Sequence, residues 1–446
     1  MVDETDNALV QAIRNAAYLM QGAARDYDPL IDLVGDARFV LLGEASHGTH
    51  EFYDARAQIT KRLIEEKGFN AIAIEADWPD AYRINRYVRA AGIDSNSRDA
   101  LKDFKRFPTW MWRNLDVLAF VEWLRRFNDN REEQSKTGLY GLDLYSMYSS
   151  MDAVLRYLEK VDPEAAARAR YRYSCFDHFA EDPQAYGYAA SFDLSSSCEQ
   201  EALGQALELQ KQAIAYAGQD GRVESDEFFF AQQNARLVKN AEQYYRSMFR
   251  GRVESWNNRD RHMAQTLEAL VDYLSTEQKD AKVVVWAHNS HVGDARATEM
   301  GELGELNLGQ LVRERYGRDA LLVGFTTYQG AVIATSDWDM PPQQKRVSPA
   351  LKNSIERVFH QTEIARFLLL LRDDAPLRAA LNRPLLERAI GVIYRSETER
   401  QSHYFHVNLG EQFDAIVHFD DTGPVEPIGY IKAEGRDMAE TFPTGI

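Results

Sequence analysis

Glu44, His47 and His50 arrive within seven residues, directly after the apolar run Phe39-Val40-Leu41-Leu42 and Gly43. Imidazole titrates near ~6.5, so such a histidine can take a proton and return it at neutral pH. A carboxylate bonded to its other ring nitrogen sets the tautomer and stabilises the imidazolium. Far down the chain His288-Asn289-Ser290-His291 supplies two more imidazoles, and Glu75 and Asp143 each close another apolar run. Together these parts suit hydrolysis of an ester or similar acyl group by an activated water. His47 is the candidate base, Glu44 or Glu75 orients it, and His288 and His291 donate to the developing oxyanion. Arg56, within two turns of the first cluster, reaches back to hold a carboxylate of the site or of the substrate. His50 ranks below His47, as a residue facing solvent.

Other chemistries use the same residues. Ser46 beside His47, and Ser290 between two histidines, could be nucleophiles, but neither sits in a Gly-x-Ser-x-Gly turn. Glu44, Glu75, His47, His288 and His291 are also metal-ligand types, which makes a metal-dependent hydrolase an alternative. A non-catalytic protein keeping the pocket for a small ligand, a metal or haem is another. The primary reading needs no cofactor.

Positioning these residues takes strands that end side by side. Residues 39–42, 71–74, 136–142 and 281–287 are short apolar runs, each stopping at Glu44, Glu75, Asp143 or His288. Runs without alternation are those of strands buried on both faces of a parallel sheet. In such a sheet the carboxyl ends share one edge, where ligands bind. Helical spacing over 52–67, 80–89 and 115–128 supplies the crossovers. The expected fold is α/β, a mostly parallel central sheet flanked by helices. Residues 151–275 read almost entirely as helix and interrupt the alternation, which predicts a helical insertion over 151–280 acting as a lid or pocket roof. The α/β core then comprises 1–150 and 281–446. Further expectations are a first helix over 5–24, strands at 320–327, 391–394 and 415–419, and a polar loop at 338–350. An aromatic loop at 103–113 is a candidate pocket wall.

Composition limits the partners. The chain has 446 residues, 45% of them hydrophobic, and a net charge of −17. That charge disfavours nucleic acid and anionic membrane surfaces, so the expected partner is a small molecule. Cys175 and Cys198 lack zinc spacing and make no disulfide framework, which points to a reducing compartment. The acidic start MVDETDNALV lacks the features of a secretory signal, and the expected location is the cytoplasm.

The segments LLGEASHGTHEFYDAR, AIEADWPDAYRIN, WNNRDRHMAQTL, VVVWAHNSHVGDARATEMG and FDAIVHFDDT resemble, in order and spacing, those of the erythromycin esterase-like family. The resemblance implies an α/β core with a helical insertion. It also implies, as in the macrolide-inactivating members, metal-independent hydrolysis in which water opens a lactone. By motif position His47 is similar to the family's general base, and Glu44, Arg56, Glu75, His288 and His291 correspond to its other active-site residues.

Overall fold

The structure, a computed structural model, describes residues 4–179, 182–217, 221–275 and 280–429. Its strands are β1 (Tyr18–Leu19), β2 (Phe39–Leu42), β3 (Ala71–Asp77), β4 (Gly138–Asp143), β5 (Val283–Trp286), β6 (Ala320–Ala334), β7 (Gln343–Val347), β8 (Arg366–Leu370), β9 (Leu385–Arg388), β10 (Tyr404–Val407) and β11 (Ala415–Thr422). Nine form one sheet in the order β1-β8-β11-β6-β2-β5-β3-β4, with β7 attached to β6. The other two, β9 and β10, pair as a separate ribbon. The central pairs β11–β6, β6–β2, β2–β5 and β5–β3 are parallel. Only β1–β8, β8–β11 and β6–β7 are antiparallel among the pairs of that sheet described here. The fold is thus α/β with a mostly parallel sheet.

The apolar runs explain this core. Every residue of β2 and β5 is buried, as is the first half of β6, which is how strands covered on both faces look. Strand β2 sits between β5 and β6 with Leu42 opposite Trp286 and Val323. This register sets the end of β2 beside the end of β5.

The edges depart from expectation. Residues 338–350 are not all loop: Gln343–Val347 is β7, mostly exposed and paired with the far end of β6. An edge strand with polar residues gives no hydrophobic pattern to read. Residues 391–394 make only an isolated bridge, Ile393 to Thr335, and the strands of that region are β9 and β10. The first helix stops at Ala16, where Tyr18 and Leu19 turn to pair with β8.

The chain divides into two compact units. One holds the sheet as far as Ile74 of β3 and Leu139 of β4; the other takes Glu75–Arg83 and Tyr140–Ser275. Within the second unit the helices are Met147–Val161, Pro163–Tyr173, Pro183–Ser191, Glu199–Ala217, Gly221–Met248 and Arg252–Leu274. Asp162 and Asp182 cap the two proline-started helices by accepting backbone N–H bonds. The tyrosine hydroxyl of Tyr186 donates to Glu242 at 2.6 Å and accepts from the Cys198 backbone at 2.9 Å. Cys175 and Cys198 are joined by a disulfide, against the expectation of a reducing compartment. Their 23-residue separation is bridged by the fold of this stretch, which a cysteine count does not reveal. Among the described residues no helix is long and apolar enough to cross a membrane.

Candidate active site

In the first unit, the β2 strand ends at Leu42 and the chain turns into the segment that carries Glu44 and His47. Gly43 donates its N–H to Val323 O at 2.8 Å, and a Cβ at this residue would collide with Asn289 Oδ1. Glycine is therefore required by close approach. Gly48 has φ +73°, and a Cβ there would strike Ile333 O and the Trp110 ring. The segment is pinned further by His47 N–H to Ile390 O (3.0 Å), and by the Ile333 and Val425 N–H groups donating to Gly48 O (3.1 and 3.0 Å).

Glu44 is wholly buried, and each of its oxygens is engaged. His47 Nδ1 lies 2.8 Å from Oε1, and Arg56 Nη2 donates to Oε2 at 2.9 Å. A carboxylate at Nδ1 places the imidazole proton on that nitrogen and leaves the Nε2 lone pair available. Arg56 comes from the second turn of the helix His50–Lys67 and is also fully buried. Its guanidinium lies 4.4 Å from the Tyr53 ring centroid and 5.1 Å from that of Trp286, so cation–π attraction offsets part of its desolvation. Among the described residues its Nε and Nη1 have no hydrogen-bond partner.

The β5 end supplies the second imidazole. Asn289 N–H donates to Glu44 O at 2.8 Å, tying the two strand ends together. The His288 ring then lies 5.0 Å from that of His47, centroid to centroid. Ser290 N–H donates to His288 Nδ1 at 3.2 Å, and Ser290 Oγ is 2.8 Å from the same nitrogen. An Nδ1 that accepts a backbone N–H carries no proton, so the neutral ring holds its proton on Nε2 and is a donor there. The two histidines thus have opposite tautomers, one poised to accept and one to donate. His291 follows in the short helix Asn289–Val292 and is buried. Ser46, the other candidate nucleophile, has its Oγ 2.5 Å from Thr49 Oγ1.

In the second unit Glu75 accepts from Arg259 Nη2 at 2.7 Å, while Arg259 also donates to both oxygens of Asp143 (3.0 and 2.6 Å). Burial opposes the guanidinium charge, but Asp143, Tyr145 and Glu75 outweigh it, and its pKa is raised above the ordinary value. Of the sequence candidates, the structure brings together Glu44, His47, Arg56 and His288, places His291 in the same turn, and sets Glu75 with Arg259 and Asp143. Arg259 was missed. Its signal was an arginine at a buried position of the helix Arg252–Leu274, next to Asp260 and His262, which are buried too. Among the described residues no three His, Cys, Asp or Glu side chains converge as a metal site would need. His50 is half exposed and pairs with Asp116 at 2.9 Å. That hydrogen bond pushes its pKa up to about 9. The aromatic loop is largely packed: Phe104, Trp110 and Trp112 are buried, and Phe107 lies against Trp338 at 4.7 Å.

Comparison with known proteins points one way. Residues 64–422 match the family model described as erythromycin esterase, a span that begins after Glu44, His47 and Arg56. Erythromycin esterase type II of Escherichia coli is 25% identical over 321 residues, covering 69% of this chain and 73% of that protein. A Bacillus cereus crystal structure aligns with TM-score 0.79 at 21% identity over 95% of this chain and 99% of its own. An erythromycin esterase mutant in its open conformation aligns with TM-score 0.64 at 20% identity, covering 94% of this chain and 97% of its own.

Proposed function

Because the chain belongs to the erythromycin esterase family and is an ester-bond hydrolase, we propose that it opens an ester or lactone, of a macrolide or a similar small molecule, with a water activated by His47. The observation carrying this reading is the chain of contacts Arg56–Glu44–His47, which leaves the His47 Nε2 lone pair as the base.

His47 Nε2 removes a proton from water as the oxygen attacks the ester carbonyl. Glu44 stabilises the imidazolium, and Arg56 holds Glu44 in place. The carbonyl oxygen becomes an oxyanion, which accepts from His288 Nε2–H and from His291. Collapse re-forms the carbonyl and breaks the C–O bond. The leaving alkoxide takes the proton from His47, giving an acid and an alcohol. Glu75 corresponds by motif to an active-site residue of the family, and Arg259 holds its carboxylate.

The test is mass spectrometry of erythromycin and an ester panel, incubated with the wild type and with His47→Ala, each with and without chelator. The expected result is a product heavier by one water, formed by the wild type alone and unaffected by chelator. Equal turnover by His47→Ala would overturn the base assignment, and ring-opening lost to chelator would favour a metal route. A second reading, Ser290 as nucleophile, has its own support in the short Ser290 Oγ–His288 Nδ1 contact. It predicts a trapped acyl-enzyme that Ser290→Ala abolishes.

A further inference from the structure

Behind the His288–His291 turn lies a buried carboxyl group that the chemistry above does not use. Glu387 of β9 is wholly buried. Asn289 Nδ2 donates to its Oε1 at 2.9 Å and Gln412 Nε2 to its Oε2 at 2.6 Å. Asn289 cannot turn over, because its amide also bonds Phe325 in both directions: Nδ2 to Phe325 O (2.8 Å) and Phe325 N–H to Oδ1 (3.2 Å). Its backbone N–H meanwhile holds Glu44 O. Asn289 therefore links Glu387 to the Glu44 segment and is adjacent in the chain to His288.

Gln412 differs, because its Oε1 is buried and has no hydrogen-bond partner among the described residues. In this orientation its N–H meets an ionised Glu387. Turned over, the same amide accepts an O–H from a protonated Glu387. One pocket thus fits both protonation states, and the two patterns differ by an amide flip and a proton.

We propose that Glu387 is a positioning residue of this site, and that the Glu387–Gln412 pair is a proton-dependent brace that sets Asn289, and through it the His288 turn, against the Glu44–His47 segment. Its effect on rate rests on the hydrolytic reading above. The neutral brace is the working form. Ionisation puts a buried negative charge behind the turn that must receive an oxyanion, and so opposes the transition state. Burial, and next Glu356, raise the Glu387 pKa to about 8, while Gln412 and Asn289 hold it down. The groups around it are Glu356 of the helix Ile355–His360, Arg388 next in the strand, and Tyr404 and His406 flanking Phe405 in the paired strand β10. Asn289 and Gln412 do not titrate.

The full-length protein with 15N-labelled histidine is titrated by NMR from about pH 6 to 10, as wild type, Glu387→Gln and Gln412→Met, with His288→Gln to assign the resonance. The expected wild-type result is an inflection of the His288 imidazole near pH 8. Glu387→Gln lacks it, and Gln412→Met moves it to higher pH, since the charge-assisted bond lost by the carboxylate is stronger than the neutral bond lost by the acid. In ester turnover the wild-type kcat follows the neutral fraction, falling about tenfold by one unit above that pKa, with KM unchanged. Glu387→Gln loses that alkaline fall. A variant that merely loosens the fold lowers Tm and leaves the inflection in place. An inflection that persists in Glu387→Gln, or none in the wild type, overturns the brace. If the inflection behaves as expected while no ester is turned over, the brace stands and the hydrolytic reading of the site falls.

Discussion

Replacing Arg56 by methionine should cost the fold more than removing Arg56 and the charge of Glu44 together. Both side chains are fully buried and joined at 2.9 Å. Breaking a buried pair by removing one partner leaves an uncompensated charge and typically costs about 3–5 kcal/mol, whereas replacing both partners is often near neutral. Here His47 Nδ1 still bonds Glu44, which pulls the expected loss for Arg56→Met toward the lower end, about 3 kcal/mol. Part of that loss is cation–π contact with Tyr53 and Trp286, and methionine recovers some of the packing. In Arg56→Met/Glu44→Gln no charge is stranded, so the double variant should lose only about 1 kcal/mol, roughly 2 kcal/mol less than Arg56→Met alone. The assay is equilibrium urea unfolding of the wild type, both single variants and the double variant, followed by fluorescence and circular dichroism at one pH. A loss below ~1 kcal/mol for Arg56→Met, or a double variant equal to the sum of the singles, would refute the argument that Glu44 is held as a buried anion by Arg56.

Gly43→Ala places a methyl on Asn289 Oδ1 and within 3.1 Å of Val292 Cγ2 and Val323 O; overpacking of this kind costs about 1–3 kcal/mol, and both Tm and kcat should fall. His262 is buried with Asn240 Nδ2 at 2.9 Å from its Nδ1, and burial pushes its pKa down to about 3. Its folded pKa lies below the unfolded one. Its contribution is therefore present above about pH 6.5 and lost as pH falls toward 3, at about 1.4 kcal/mol per unit. His262→Gln should flatten the acid side of the stability profile, which urea unfolding between pH 7 and 5 checks. Cys198→Ser opens a loop of 23 residues and should destabilise by about 3 kcal/mol on the loop-entropy account. A reducing agent should lower the wild-type midpoint equally and leave the variant unchanged.

Short-range order was legible because it is written in neighbouring residues. Phe39–Leu42 and Val283–Trp286 have no polar position, so they had to be strands covered on both faces, and their parallel pairing follows. The three-residue spacing of Glu44 and His47 suits a carboxylate–imidazole bond within one turn, and that bond is local. The helix Pro163–Tyr173, started by proline and capped by Asp162, is local as well. What needed the folded chain is every choice of partner across sequence distance. Arg259, 184 residues from Glu75, meets that carboxylate. Glu387 reaches Asn289 across 98 residues, and nothing near either residue announces the other. The disulfide and the polar edge strand β7 belong to the same class. Hydrophobic periodicity reports which face of an element is buried, but a buried polar group is satisfied by whichever donor the packing delivers. Which residues become the site's inner partners was therefore decided by tertiary structure alone.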